Sequence, residues 1–172
     1  MRRACLPDIC SWPRYKTDRR APRAVVVVEL ILMLPVLLVF LIALIEFGLI
    51  LANTKVVALA SRNGAKLAAE SPAFSITQVT NVVNASLATA NIQSCKVILE
   101  HNVVAGGPSP LTSGTCNCSA PSIPTLPGGS QRAVRVTVCV ELSQLTPNLL
   151  TAFGFTTANR TVSESTLYPY EH

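Results

Sequence analysis

Arg23-Ala24-Val25-Val26-Val27-Val28-Glu29-Leu30-Ile31-Leu32-Met33-Leu34-Pro35 opens an apolar run that continues to Ala52, interrupted by charge only at Glu29 and Glu46. About 20 consecutive apolar residues suffice to cross a bilayer as a helix, so residues 25–52 read as a transmembrane segment. The two carboxylates are the anomaly. An ionised side chain at the centre of a membrane helix costs roughly 3 kcal/mol even on lenient insertion scales. Glu29 therefore either snorkels to the headgroups or is paired with a cation, and it is the first candidate functional residue.

Working outward, the charge is concentrated on one flank. Residues 1–24 carry seven cations (Arg2, Arg3, Arg14, Lys16, Arg19, Arg20 and Arg23) against Asp8 and Asp18, whereas residues 25–172 balance seven cations with seven anions. The net charge of +5 thus lies in the leader. A basic protein often invites a nucleic-acid partner. Here the charge flanks a hydrophobic span, where it sets orientation with the N-terminus cytoplasmic, and no nucleic-acid partner is expected.

Beyond the span, no stop signal interrupts the helix until Ser71-Pro72. Residues 25–70 predict a continuous rod about 69 Å long, of which only about half fits in a membrane. Lys55, Arg62 and Lys66 fall on one stripe of its outer half. Val57, Ala60, Gly64 and Ala68 fall on the opposite one. Small residues four apart let another backbone approach closely. The stripe of Ala60, Gly64 and Ala68 is expected to pack on the chain's own sheet, and that of Gly48 and Ala52 on a neighbouring helix. A second, weaker helix reads over residues 75–90. Strands read over 96–104 and 132–142, the latter alternating Val134, Val136, Val138 and Val140 with Arg135, Thr137, Cys139 and Glu141. Residues 106–130 are rich in Gly, Pro, Ser and Thr and read as a long loop. A short apolar segment at 149–155 and a final strand at 160–167 complete the chain. The expected class is α+β: a long N-terminal transmembrane helix continuing into a small extracytoplasmic domain with an antiparallel sheet. The expected divisions are a leader (1–24), a transmembrane and projecting helix (25–70) and the α+β domain (71–172).

The sequence assigns no catalytic residue, and the reading is of a protein that is not an enzyme. His101 and His172 are the two histidines, and neither sits in a pattern that supplies a nucleophile with a positioned base. No cofactor, metal or small-molecule substrate is expected. Cys95, Cys116, Cys118 and Cys139 lie beyond the span, where oxidation is permitted. Zinc ligands in such pairs are usually separated by two to four residues, against one between Cys116 and Cys118, so disulfides are favoured over a metal site. If the two strands pair antiparallel, Cys95 falls near Cys139, and one bridge joins them. The competing arrangement links each strand to the loop. Four cysteines allow three connectivities and sequence does not choose among them. The Asn-x-Ser/Thr triplets at Asn84, Asn117 and Asn159 are read as chance.

The register of Glu29 carries more. It stands fifth after Ala24, a small residue behind Arg23. The pattern Arg23-Ala24-Val25-Val26-Val27-Val28-Glu29 resembles type IV prepilins, and specifically the TadE-like pseudopilins of tight-adherence pilus systems. The resemblance continues through Leu30 to Pro35, through Ile45-Glu46-Phe47-Gly48, and through Ala60-Ser61-Arg62-Asn63-Gly64-Ala65-Lys66. It covers residues 23–70 and is thematic beyond them. It implies cleavage between Ala24 and Val25 by a prepilin-type peptidase, although Ala24 stands where Gly is commoner. It also implies a pilin-like fold in the bacterial inner membrane, with the C-terminal domain periplasmic or extracellular. The implied partners are the membrane, that peptidase and other pilus or pseudopilin subunits, with Glu29 serving assembly. The function implied is that of a structural minor pseudopilin or assembly factor of a tight-adherence pilus or related secretion system. Two alternatives belong to other classes. One is a secreted binding protein with a signal peptide cut after Ala58-Leu59-Ala60, a triplet of the right type. The other is an uncleaved anchor for a partner-binding domain.

Overall fold

The computed structural model describes residues 21–70, 75–101, 109–122 and 133–170. It divides into two units, Met1–Leu38 and Val39–His172, and helix α1 (Ala21–Glu70) contributes to both. Within the first unit, each described side chain from Val26 to Leu38 is exposed. An apolar surface without protein cover is what hydrocarbon would solvate. Pro35 lies inside the helix, a position that membrane helices tolerate better than soluble ones.

The second unit is an α+β domain built on the C-terminal half of α1. There Val57, Ala60, Gly64, Ala65, Ala68 and Ala69 are buried, and Lys55, Arg62 and Lys66 on the other side are exposed. Helix α2 (Ile76–Ala88) starts at a capping box. The Gln78 amide donates to Ser75 Oγ (3.4 Å) while the Ser75 amide donates to Gln78 Oε1 (3.0 Å), satisfying donors that a helix start leaves open. Its buried residues Val79, Val83 and Leu87 are spaced four apart, which puts them on one stripe.

Four antiparallel strands complete the unit: β1 (Lys96–His101), β2 (Leu111–Gly114), β3 (Ala133–Glu141) and β4 (Thr161–Pro169), in the order β2-β1-β3-β4. The α+β class and the antiparallel sheet expected from sequence are present. The register sets Val97 opposite Val138 and Leu99 opposite Val136, and these residues join Val57, Ala60, Val79 and Val83 in one core. The opposite face sets Lys96 against Cys139, Ile98 against Thr137 and Glu100 against Arg135. The alternation along β3 suggests one wet face, yet Ala133 to Val140 are all buried. The covering comes from the segment after β2, where Lys96 Nζ donates to the Cys118 carbonyl (2.9 Å). Arg135 Nε, enclosed beneath it, donates to Glu100 Oε2 at 2.5 Å, which satisfies a charge that would be expensive to bury alone.

The region read as a featureless loop over 106–130 contains β2. Gly114 closes that strand at φ +102°, where an added Cβ would collide with the backbone of Cys95 and Lys96. Between β3 and β4 lie a helical turn, α3 (Leu142–Leu145), and a 3₁₀ turn (Leu149–Phe153).

Candidate anchoring and assembly site

The residues singled out by sequence fall in four places. Ala24 and Val25 lie within α1, with side chains outside the described set. Glu29, further along the same unit, is exposed among exposed apolar neighbours, and no ion pair reaches it among the described residues. Such a carboxylate is available to a group outside the chain.

Gly48 and Ala52 are exposed, and nothing lies within 4 Å of a Cβ placed on Gly48. The outer stripe is different. A Cβ added to Gly64 would stand 2.9 Å from Val83 Cγ2, 3.3 Å from Val136 Cγ1 and 3.4 Å from Val79 Cγ1. Helices α1 and α2 and strand β3 therefore converge where glycine leaves room. Ser61 beside it shares a 2.7 Å hydrogen bond with Thr166 Oγ1 on β4.

The four cysteines beyond the apolar span form two bridges, Cys95–Cys116 and Cys118–Cys139. Of the arrangements that the sequence leaves open, the one present links each strand to the loop. The Cys95 amide does donate to the Cys139 carbonyl (2.9 Å), so the two strands meet there as antiparallel pairing requires. The register, however, sets Lys96 opposite Cys139, and a one-residue offset points neighbouring side chains to opposite faces. Each bridge closes a 21-residue separation, and the chain-entropy model gives each about 3 kcal/mol. Alkylation of native protein without reductant is expected to leave these four cysteines unlabelled, and peptide mapping to return the links 95–116 and 118–139. Recovery of a 95–139 link would refute the pairing.

His101 Nδ1 and the Tyr170 hydroxyl share a 2.7 Å hydrogen bond, with their rings stacked. Burial lowers the imidazole below its ordinary range, because desolvation disfavours the cation. The arrangement ties β1 to the end of the chain.

Glu46 is the residue that sequence reasoning missed. It is 5% exposed, although its helical neighbours Ile45 and Phe47 face outward. Its Oε1 accepts the Leu150 amide at 3.1 Å. Two turns further along α1, Asn53 Nδ2 donates to the Leu145 carbonyl at 2.7 Å. A carboxylate embedded in an apolar run is a signal that it has a partner, but nothing local identifies one 104 residues away.

One helix among the described residues is long and apolar enough to cross a membrane, and a small α+β domain follows it. By length and composition this helix suggests a single-pass membrane anchor. Residues 24–66, within α1, are similar to the family model described as TadE-like protein; the sheet lies outside the match. No curated protein and no solved structure matches the chain.

Proposed function

We propose that the chain is a TadE-like pseudopilin, a structural minor subunit or assembly factor of a tight-adherence pilus or related secretion system in the bacterial inner membrane. The observation that carries this reading is the family match, which begins at Ala24 and includes Glu29. Its first residue is the last of the basic leader. The leader is removed between Ala24 and Val25 by a prepilin-type peptidase on the cytoplasmic side, and the mature helix begins at Val25. The one-sided distribution of Lys and Arg supports this orientation, with the α+β domain exported. The divisions at 24 and 70 then separate leader, helix and exported domain. Gly48 and Ala52, open on the helix surface, serve contact with a neighbouring helix.

The secretory alternative is disfavoured by position. The bond it would cut joins Ala60 to Ser61, both buried within α1, and cleavage there would strip Val57 and Ala60 from the core. Terminal-peptide mass spectrometry of membrane-extracted protein from its native host is the test. The expected mature start is Val25, with a precursor longer by the leader accumulating in Ala24→Arg. A start at Ser61, or a leader that persists in wild-type protein, would overturn the proposal.

A further inference from the structure

The 3₁₀ turn at Leu149–Phe153 has no role in the core. Among the described residues after Leu59, the exposed large apolar side chains are Leu111, Leu149 (46%), Phe153 (48%) and Phe155 (65%). Three of these four sit in one seven-residue segment. An exposed apolar cluster of this kind marks an interaction surface.

Its position says what covers it. The Leu145 carbonyl is bonded to Asn53 and the Leu150 amide to Glu46, so five residues of chain descend two turns of α1 toward its N-terminal end. That descent is about 10 Å. Residues 26–45 already supply the roughly 20 needed to cross the hydrocarbon. Glu46 therefore lies in the last turns of the apolar run that ends at Ala52, close to where α1 leaves the bilayer, and the segment bonded to it is at that level. On α1 itself, Phe47, Leu49 and Leu51 at the same level are also exposed.

The backbone of the turn suits an apolar setting as well. The Leu150 amide goes to Glu46, Thr151 to the Asn148 carbonyl (3.1 Å), Gly154 to Thr151 (3.0 Å) and Phe155 to Leu150 (3.3 Å). Asn148 and Gly154, both at positive φ, bend the chain in and out, and the Thr157 hydroxyl bonds to Asn148 Oδ1. These bonds leave fewer free donors in the segment, which lowers the cost of holding it at an interface.

We propose that residues 149–155 form a second membrane contact, with Leu149, Phe153 and Phe155 seated among the lipid acyl chains at the interfacial layer where α1 emerges. Glu46 is the positioning residue. The segment holds the α+β domain against the bilayer surface, in the manner of an interfacial apolar face. The inference rests on α1 crossing the bilayer and is independent of the pilus assignment.

The test uses the full chain with its single tryptophan replaced (Trp12→Phe) and a reporter introduced by Phe155→Trp, reconstituted in phosphatidylcholine–phosphatidylglycerol vesicles. With lipids brominated on the acyl chains, emission is expected to be blue-shifted and quenched by at least half. Leu111→Trp, on the edge strand, should be quenched far less. Glu46→Leu should reduce the Phe155→Trp quenching about twofold. Red, water-like emission without quenching would overturn the proposal. So would shielding that disappears as protein is diluted in lipid, which would assign the patch to a second protein copy. Failure of the protein to float with the vesicles would overturn the anchoring reading and this inference together.

Discussion

Gly64→Leu is expected to unfold the α+β domain or lower its stability by roughly 3 kcal/mol or more, read as a shift in the urea midpoint of the disulfide-intact protein in detergent. The first added atom alone falls 2.9 Å from Val83 Cγ2 and 3.3 Å from Val136 Cγ1, and three further heavy atoms follow it. Overpacking a filled core costs about 1–3 kcal/mol when neighbours can shift. Here the neighbours belong to a helix and a central strand that are themselves buried. Small domains have only about 5–15 kcal/mol to lose. Gly48→Leu, with nothing within 4 Å, is the paired control and should leave the midpoint unchanged. Equal midpoints for all three proteins would show that the stripe of small residues does not hold α1 to the domain.

Glu29→Gln carries the second large effect, on assembly rather than folding. Under the proposed function, cleavage creates an α-amino group at Val25, and in a family-like assembly this ammonium lies beside Glu29 of a neighbouring subunit. A solitary carboxylate in hydrocarbon costs roughly 3 kcal/mol, whereas hydrogen bonds between charged groups contribute about 1.5–3 kcal/mol. Pairing thus favours partnered helices and fixes their vertical register. The glutamine variant should insert as well as wild type and remain open to cleavage. Its recovery with pilus-system partners in crosslinked membranes should fall about thirtyfold, the equivalent of about 2 kcal/mol. Glu29→Asp, which keeps the charge on a shorter stem, should retain part of the interaction. Wild-type recovery of Glu29→Gln would remove the carboxylate from the assembly mechanism.

How much of this was legible in the sequence depends on how local each cause is. The α1 helix follows from a long apolar run broken only by Glu29 and Glu46 and continued without a stop signal to Glu70, and the burial of Val57, Ala60, Gly64 and Ala68 follows from a period of 3.6 that needs only neighbours to be read. The valines of β3 likewise declare a two-residue period. What that period did not declare is the fate of the other face. Arg135, Thr137 and Cys139 look like solvent-facing residues until the disulfide-tied segment after β2 is laid over them. Strand β2 was missed because it has only four residues, two of them small and polar, and owes its conformation to its pairing with β1. The pairing of cysteines depended on register, which a single residue inverts. Glu46 was visible as an oddity, but its partner arrives from the far end of the chain. The functional reading rests on Arg23 to Glu29, a short local pattern, and for that reason it could be made before any fold was known.

The order of the two bridges bears on how the protein is made. Numbered along the chain, these four cysteines join first to second and third to fourth. Under the proposed orientation, residues 95–116 leave the membrane before Cys139 does. An oxidant that couples each cysteine to the last one to appear therefore reaches the native pairing directly, without passing through one of the two other connectivities that four cysteines permit. Because the covalent rings are consecutive rather than interlocked, biogenesis can proceed in step with export and requires no disulfide shuffling, which takes seconds to hours.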